Sequence, residues 1–388
     1  MRACNGNDTV PEVKKKRDYL PFMVFFLLLC GGLLGCVAIY STRITEPAPL
    51  YFALRQLYFL GAGALLFILS SLVPFRYYKK NVYILAGISA LMLVAVLFFG
   101  YRVNGMRGWL ALPGGFYFQP SEIAKVFFLL SLASFASKEK KISISRFFLM
   151  LGFTFFFVFL LIREPDFGSA AVFFVAFLIV AASREGSLKA FLLAAGALLV
   201  SGLYFIFRHD YAFMRILSFF NPDGAGVRSW HMRQFQYTLA NGGWFGSEYV
   251  TALWSRSYLP LPHTDSLFAS IVELTGFAGS MLVILIFAGL GIAFTLIAWN
   301  TKGKCGRLYV FCAGMLCFFQ ALLHISVNSV LLPATGVTLP MLSYGGSSLF
   351  SVMLSLGIAL SAASEKEPDD PAEELDDTGN GEKQLPDS

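Results

Sequence analysis

The sequence is short of charge. Of 388 residues, 14% are Asp, Glu, Lys or Arg and 56% are hydrophobic, where soluble globular chains carry roughly 25% charged residues. A chain of this make-up cannot cover itself with a wetted surface. Histidine is also scarce, with 4 residues and no HExxH pair, and the 6 cysteines form no cluster at zinc spacing, so the usual zinc signatures are missing. There is no P-loop or dinucleotide fingerprint: Gly224 and Gly226 lack the strand and helix that such a loop needs. No folded basic domain is present to hold nucleic acid. Cys30, Cys36, Cys312 and Cys317 fall inside apolar blocks, and Cys4 and Cys305 in segments expected on the cytoplasmic side, so no disulfide framework is expected.

What the chain has instead is long apolar runs, of about the 20-residue length that crosses a hydrocarbon core. Ten can be read: 19–40, 51–73, 82–100, 121–136, 147–162, 169–182, 188–207, 267–299, 308–331 and 346–363. Backbone groups cannot go unpaired in lipid, so the blocks must be helices. The expected fold class is all-α, a polytopic membrane protein of about ten transmembrane helices. The first block is too long for a signal-peptide core and no small-residue cleavage site follows it. Lys14, Lys15, Lys16 and Arg17 precede it, and alternate short loops carry Arg76, Lys79 and Lys80; Lys138, Lys140, Lys141 and Arg146; Arg184 and Lys189; Lys302, Lys304 and Arg307. The short loops opposite hold only Arg43 and Arg163. Positive loops stay in the cytoplasm, so both termini are expected there. The expected organisation is a cytoplasmic tail over 1–18, a transmembrane domain over 19–363 and an acidic cytoplasmic tail over 364–388. From Glu365 onward there are ten acids and two bases, a net of −8 within an overall +6, a composition expected to be disordered.

Two extracytoplasmic loops, 101–120 and 208–265, exceed what a connection needs, and such loops are usually functional or disordered. They hold four of the five tryptophans: Trp109, Trp230, Trp244 and Trp254. An aromatic belt at the membrane interface is the bland explanation for any one of them. Ionisable residues in spans are functional candidates by default. Glu122 and Lys125 stand one turn apart, where they can pair. Asp166 and Asp265 each precede a span, and each also suits a plain helix cap. The stretch Leu331–Leu349 carries Pro333, Gly336, Pro340, Gly345 and Gly346, which forbid a regular helix. Irregular backbone at membrane depth survives only inside protein or beside a wet cavity.

These residues resemble the motifs of one family. Asn104-Gly105, Trp109 and Phe118-Gln119-Pro120-Ser121-Glu122-Ile123-Ala124-Lys125 are similar to a first motif of the SEDS family (shape, elongation, division and sporulation), which includes FtsW, RodA and SpoVE. Pro165-Asp166-Phe167-Gly168-Ser169 resembles its second. Tyr258-Leu259-Pro260 with His263-Thr264-Asp265 resembles its third, and Thr335 to Pro340 with Ser343-Tyr344-Gly345-Gly346-Ser347-Ser348 its fourth. Tyr51-Phe52, Arg55-Gln56-Leu57 and Arg215-Ile216-Leu217 resemble the division branch, FtsW, more than RodA.

The resemblance implies a peptidoglycan glycosyltransferase of the bacterial inner membrane. It implies lipid II, an undecaprenyl-pyrophosphate disaccharide-pentapeptide, as substrate, and β-1,4 glycan strands made on the extracytoplasmic face. It also implies a class B penicillin-binding protein as partner, among other division or elongation proteins. Asp265 is the implied catalytic carboxylate, a general base for the acceptor hydroxyl, a role worth roughly 10²–10⁴ in rate. The leaving pyrophosphate needs cations, for which Arg107 and Lys125 are the candidates, with a divalent ion (magnesium or manganese) as an alternative. Trp109, Gln119, Glu122, Asp166, His263, Thr264, Ser343, Gly345, Gly346, Ser347 and Ser348 complete the candidate substrate site; no residue set is assigned to metal. Four positions depart from the family pattern: Gly108 where a basic residue usually adjoins the tryptophan, Leu261 in place of Glu, Ser266 in place of Phe, and Leu274 after Glu273 where the family usually pairs two Glu. A lipid-precursor flippase and a non-enzymatic scaffold are the rival readings, and both predict that Asp265 is dispensable.

Overall fold

The computed structural model describes residues 20–44, 48–103, 106–113, 115–139, 141–184, 230–247 and 254–365, with isolated positions between 192 and 220. The terminal tail 1–18, all of 366–388, nearly all of the seventh apolar block, and Asn104-Gly105 of the first motif lie outside the described residues. The other nine apolar blocks fold as helices: α1 Leu20–Thr42, α2 Pro49–Leu72, α4 Val82–Phe99, α5 Pro120–Ser137, α6 Ile144–Arg163, α7 Phe167–Ala182, α9 Leu267–Asn300, α10 Lys304–Asn328 and α11 Gly346–Ser364. Eight of them are long and apolar enough to cross a membrane, and α7 is a shorter apolar helix. Between them lie a six-residue helix α3, Phe75–Lys80, the amphipathic α8, Trp230–Gly242, and a π-helical turn, Trp254–Tyr258.

Burial separates the middle of the bundle from its perimeter. About 78% of the α5 span and 72% of the α11 span is buried, against 28% for α2 and α4. α5 and α11 therefore form the centre, while α2 and α4 turn Leu54, Tyr58, Leu65, Ile84 and Leu91 outward. In water such faces would be costly; in lipid they are solvated. Small residues permit the closest approach: a side chain on Gly35 of α1 would meet the Leu342 carbonyl at 2.5 Å.

The all-α expectation holds for the spans, but the loop between α4 and α5 is a small antiparallel sheet: β1 Tyr101–Val103, β2 Met106–Leu112 and β3 Phe116–Phe118. Tyr101 faces Trp109, and Leu110, Ala111 and Leu112 face Phe118, Tyr117 and Phe116. This sheet marks one end of the bundle. The starts of α2, α5, α7, α9 and α11 lie at that end, as the contacts below show.

A second departure concerns the eighth span, read as one helix. α9 breaks at Gly276, whose φ of 66° and ψ of −163° lie outside the helical region. The segment 243–247 threads into the break. Phe277 and Ala278 donate their N–H groups to the carbonyls of Gly243 and Trp244, and Ser247 donates to that of Glu273. A side chain on Gly276 would stand 2.4 Å from the Gly246 nitrogen, so only glycine fits. The Glu273 carboxylate accepts from the backbone of Trp254 and Ser255 and from the Asn241 amide, so this buried acid ties the outer segment to α9.

Candidate functional site

The His263-Thr264-Asp265 segment is a tight turn leading into α9. Ser266 and Ser270 hydroxyls close it on the carbonyls of Pro260 and Pro262. α10 fixes it from behind: Asn328 donates to the Asp265 carbonyl at 3.0 Å and accepts from the Ala269 N–H at 3.1 Å. His324, one turn earlier, bonds the Val337 carbonyl at 2.7 Å. The Asp265 carboxylate faces the backbone at Gly336, where an added side chain would start 3.9 Å from Oδ2. Gly336 has a φ of 74°, a conformation glycine adopts freely.

The irregular segment 329–345 is folded into the protein, with Leu339, Met341 and Leu342 fully buried. It is stitched to the turn. Tyr344 donates its N–H to the His263 carbonyl, and the Ser343 hydroxyl donates to the Thr264 carbonyl at 2.7 Å while accepting from the Leu339 N–H. Gln56 of α2 donates to the carbonyls of Met341 and Ser343 and accepts from the Gly345 N–H. Gly346 packs on the Phe59 ring, and Ser348 exchanges a 2.8 Å hydrogen bond with Thr338.

The other two motifs join the same network. Gln119 donates its backbone N–H to Ser347 Oγ and its side-chain amide to Asp166 Oδ2, each at 3.0 Å. Asp166 caps α7 through the Ser169 N–H and hydroxyl, so it is both the cap and a link. Burial holds its carboxyl above the usual range, with the Glu122 charge adding to the effect and the Ser169 and Gln119 hydrogen bonds opposing it. Below, Glu122 and Lys125 form a buried ion pair at 2.5 Å, to which Ser351 donates and Gln320 accepts. Gln320, His324 and Asn328 recur every four residues on one α10 face. That spacing is a readable signal in an apolar run, though it lies outside the four motifs.

Two further charged residues stand beside this network. Arg43, just after α1, lies with its guanidinium 4.0 Å from the Phe52 ring centre, and its Nη2 is 3.1 Å from both ring nitrogens of His263. Equal distances to both nitrogens place it over the imidazole face, because no in-plane position reaches both without a clash. Burial and this cation push His263 down to about 4, so the ring is neutral at physiological pH. Glu164 is fully buried beneath Gly108, and neither of its carboxyl oxygens has a hydrogen-bond partner among the described residues. Burial, then the Asp166 charge, pushes it up to about 9. Arg107 takes a different course: its Nε and Nη2 donate to the carbonyls of Gly100 and Phe98, closing the end of α4. The Trp109 ring nitrogen is buried without a partner among the described residues. Among the described residues, no three His, Cys, Asp or Glu side chains stand together as metal ligands.

A family model described as cell cycle protein, FtsW/RodA/SpoVE, matches residues 19–368. The chain is 32% identical over 364 residues to stage V sporulation protein E of Bacillus subtilis, covering 90% of this chain and 98% of that one. It is 30% identical over 357 residues, 88% of each chain, to the probable peptidoglycan glycosyltransferase FtsW of Pseudoalteromonas translucida. One similar solved structure is described as structural coordination of polymerization and crosslinking by a peptidoglycan synthase complex. Its TM-score is 0.75 at 27% identity, over 88% of this chain and 97% of that one. The rod shape determining protein RodA of Thermus thermophilus aligns with a TM-score of 0.67 at 26% identity, over 90% of this chain and 97% of its own. With the family model spanning all the apolar blocks, and four motifs gathered at one end of the bundle, the chain belongs to the FtsW/RodA/SpoVE family of multi-pass membrane proteins.

Proposed function

We propose that the protein is a peptidoglycan glycosyltransferase that extends glycan strands from lipid II, with Asp265 as the base. The observation that carries this reading is the setting of Asp265. Its turn is held by α10 and by the 329–345 segment, its carboxylate faces glycine backbone at Gly336, and a cation on His263 stands two residues away. The names of its relatives support the same reaction class.

In the step this geometry serves, Asp265 takes the proton of an acceptor sugar hydroxyl. The freed oxygen attacks the anomeric carbon of the donor from the face opposite the pyrophosphate. The bond to the pyrophosphate oxygen breaks with its electron pair, and the α-linked donor becomes a β-linked product. A pyrophosphate anion needs positive charge rather than an added proton. Arg43 is the arginine seated against the motif that carries the base, so it joins Lys125 as a candidate for that role. Lys125 itself is paired with Glu122, and Arg107 is anchored on α4. The described carboxylates and histidines do not gather into a metal-binding set, and no step is assigned to a metal.

The sheet end of the bundle is the extracytoplasmic end in this reading, with both termini in the cytoplasm of a bacterial inner membrane. A class B penicillin-binding protein is the proposed partner, in keeping with the peptidoglycan synthase complex among the similar structures. Purified protein with its cognate partner, given labelled lipid II, tests the proposal. Wild type is expected to make polymer, and Asp265→Asn to make at least about 10²-fold less while still binding the partner. Equal polymer from both would remove Asp265 as the base. Absence of polymer from either, with lipid II moving across vesicle membranes, would favour transport.

A further inference from the structure

At the sheet end, on the α4–α6 side, β1, β2 and the last residue of α6 bring three arginines around one cavity of about 360 Å³. It is lined by Leu97, Phe98, Arg102, Arg107, Arg163 and Pro165. None of these residues is acidic. The side chains of Arg102 and Arg163 make no hydrogen bond or ion pair with the described residues, and the Arg107 guanidinium bonds, among them, only the two carbonyls that hold it in place. The one carboxyl beside them in sequence, Glu164, is turned inward under Gly108. Three guanidiniums on one cavity repel one another unless an anion joins them.

The charge pattern of the chain sharpens the point. Short loops at this end are otherwise nearly free of Lys and Arg, as the positive-inside rule demands of the extracytoplasmic side. A cluster of three here runs against that trend. Guanidinium forks match phosphate oxygens in geometry, and basic pockets between membrane helices take lipid headgroups. The cavity sits where α4 ends, and the exposed ring of Phe98 beside it presents an apolar wall toward the bilayer. We infer that Arg102, Arg107 and Arg163 form a binding pocket for the phosphate headgroup of a membrane lipid, separate from the Asp265 network. Its chemistry suits two sources: the phosphodiester of an anionic phospholipid, or the pyrophosphate of a polyprenyl lipid.

Native mass spectrometry of the purified full-length protein tests this without any measurement of activity. Phosphatidylglycerol, undecaprenyl pyrophosphate and, as a zwitterionic control, phosphatidylcholine are titrated against wild type and the Arg102→Gln/Arg163→Gln double variant. Both side chains are exposed and unbonded, so the variant should keep its fold, which thermal unfolding checks; Arg102→Glu provides a second, charge-reversing probe. Wild type is expected to take up one anionic lipid at least 5-fold more tightly than phosphatidylcholine, and both variants to lose that preference. The anionic lipid whose uptake the two variants weaken more identifies the source, since binding at the Asp265 network is untouched by them. Equal uptake of all three lipids by wild type, or an unchanged preference in both variants, would overturn the pocket.

Discussion

Arg43 shows how a single side chain can set the electrostatics of a motif 220 positions away. Its guanidinium is spread between the Phe52 and His263 rings, an arrangement that suits a planar cation and not a point charge. Arg43→Ala is therefore expected to lower polymerisation at least ~10-fold, the scale of one lost charge contact near a reacting anion, and Arg43→Lys to recover only part of it. Rates for the three proteins, with thermal unfolding as a control for folding, check this. Glu164 gives a different prediction. Its carboxyl ordinarily titrates at 4.5 and in the fold at about 9, so between those values the folded chain holds a proton that the unfolded chain has lost. Stability contributed by this group is full below pH 4.5 and falls as pH rises toward 9. Glu164→Gln keeps the neutral shape at every pH, so its Tm relative to wild type should climb by a few degrees from pH 5 to pH 8.5. A parallel pH dependence in the two proteins would refute the assignment. The motif residues were legible because each lies in a short run of recognisable letters. Arg43 and Glu164 were not, since what matters about them is a ring or a gap contributed from elsewhere in the chain.

At the scale of elements, the two buried devices are the break in α9 and the ion pair in α5. The apolar run of α9 continues through Gly276 without a change in composition, so nothing local announced the break. It exists because the 243–247 segment supplies the hydrogen bonds the helix gives up. Gly276→Ala places a side chain against that backbone and should lower Tm by several degrees or prevent folding, whereas Gly61→Ala in α2, where an added side chain meets open space, should be neutral. The spacing of Glu122 and Lys125 did announce their pairing. Removing Lys125 alone, as Lys125→Met, leaves an uncompensated buried carboxylate and should cost about 3–5 kcal/mol, while Glu122→Gln/Lys125→Met should cost less; chemical denaturation of the set reports the order. The sheet was hidden for another reason. Strands of three, seven and three residues are too short for a period-2 pattern to stand out in so apolar a chain.

Across the whole molecule, the helices were the most legible feature, since lipid permits few alternatives to them and ten apolar blocks leave little freedom in their order. Which end faces outward is a proposal that labelling can decide. In a Cys4→Ser background, Tyr117→Cys at the sheet and Ser143→Cys at the opposite end both place a thiol at an exposed position. A membrane-impermeant maleimide should modify the first on intact cells and the second only after permeabilisation; the reverse pattern would invert the topology. Gln56 has a consequence of a kinetic kind. One buried amide on α2 satisfies two carbonyls and one N–H of the 341–345 segment, so that segment cannot loosen unless the side chain of a neighbouring membrane helix lets go. In deuterated buffer the Gly345 amide should therefore exchange in step with the separation of α2 from α11 and not with the fraying of a loop, making a stretch that has no regular secondary structure one of the slowest clocks in the protein.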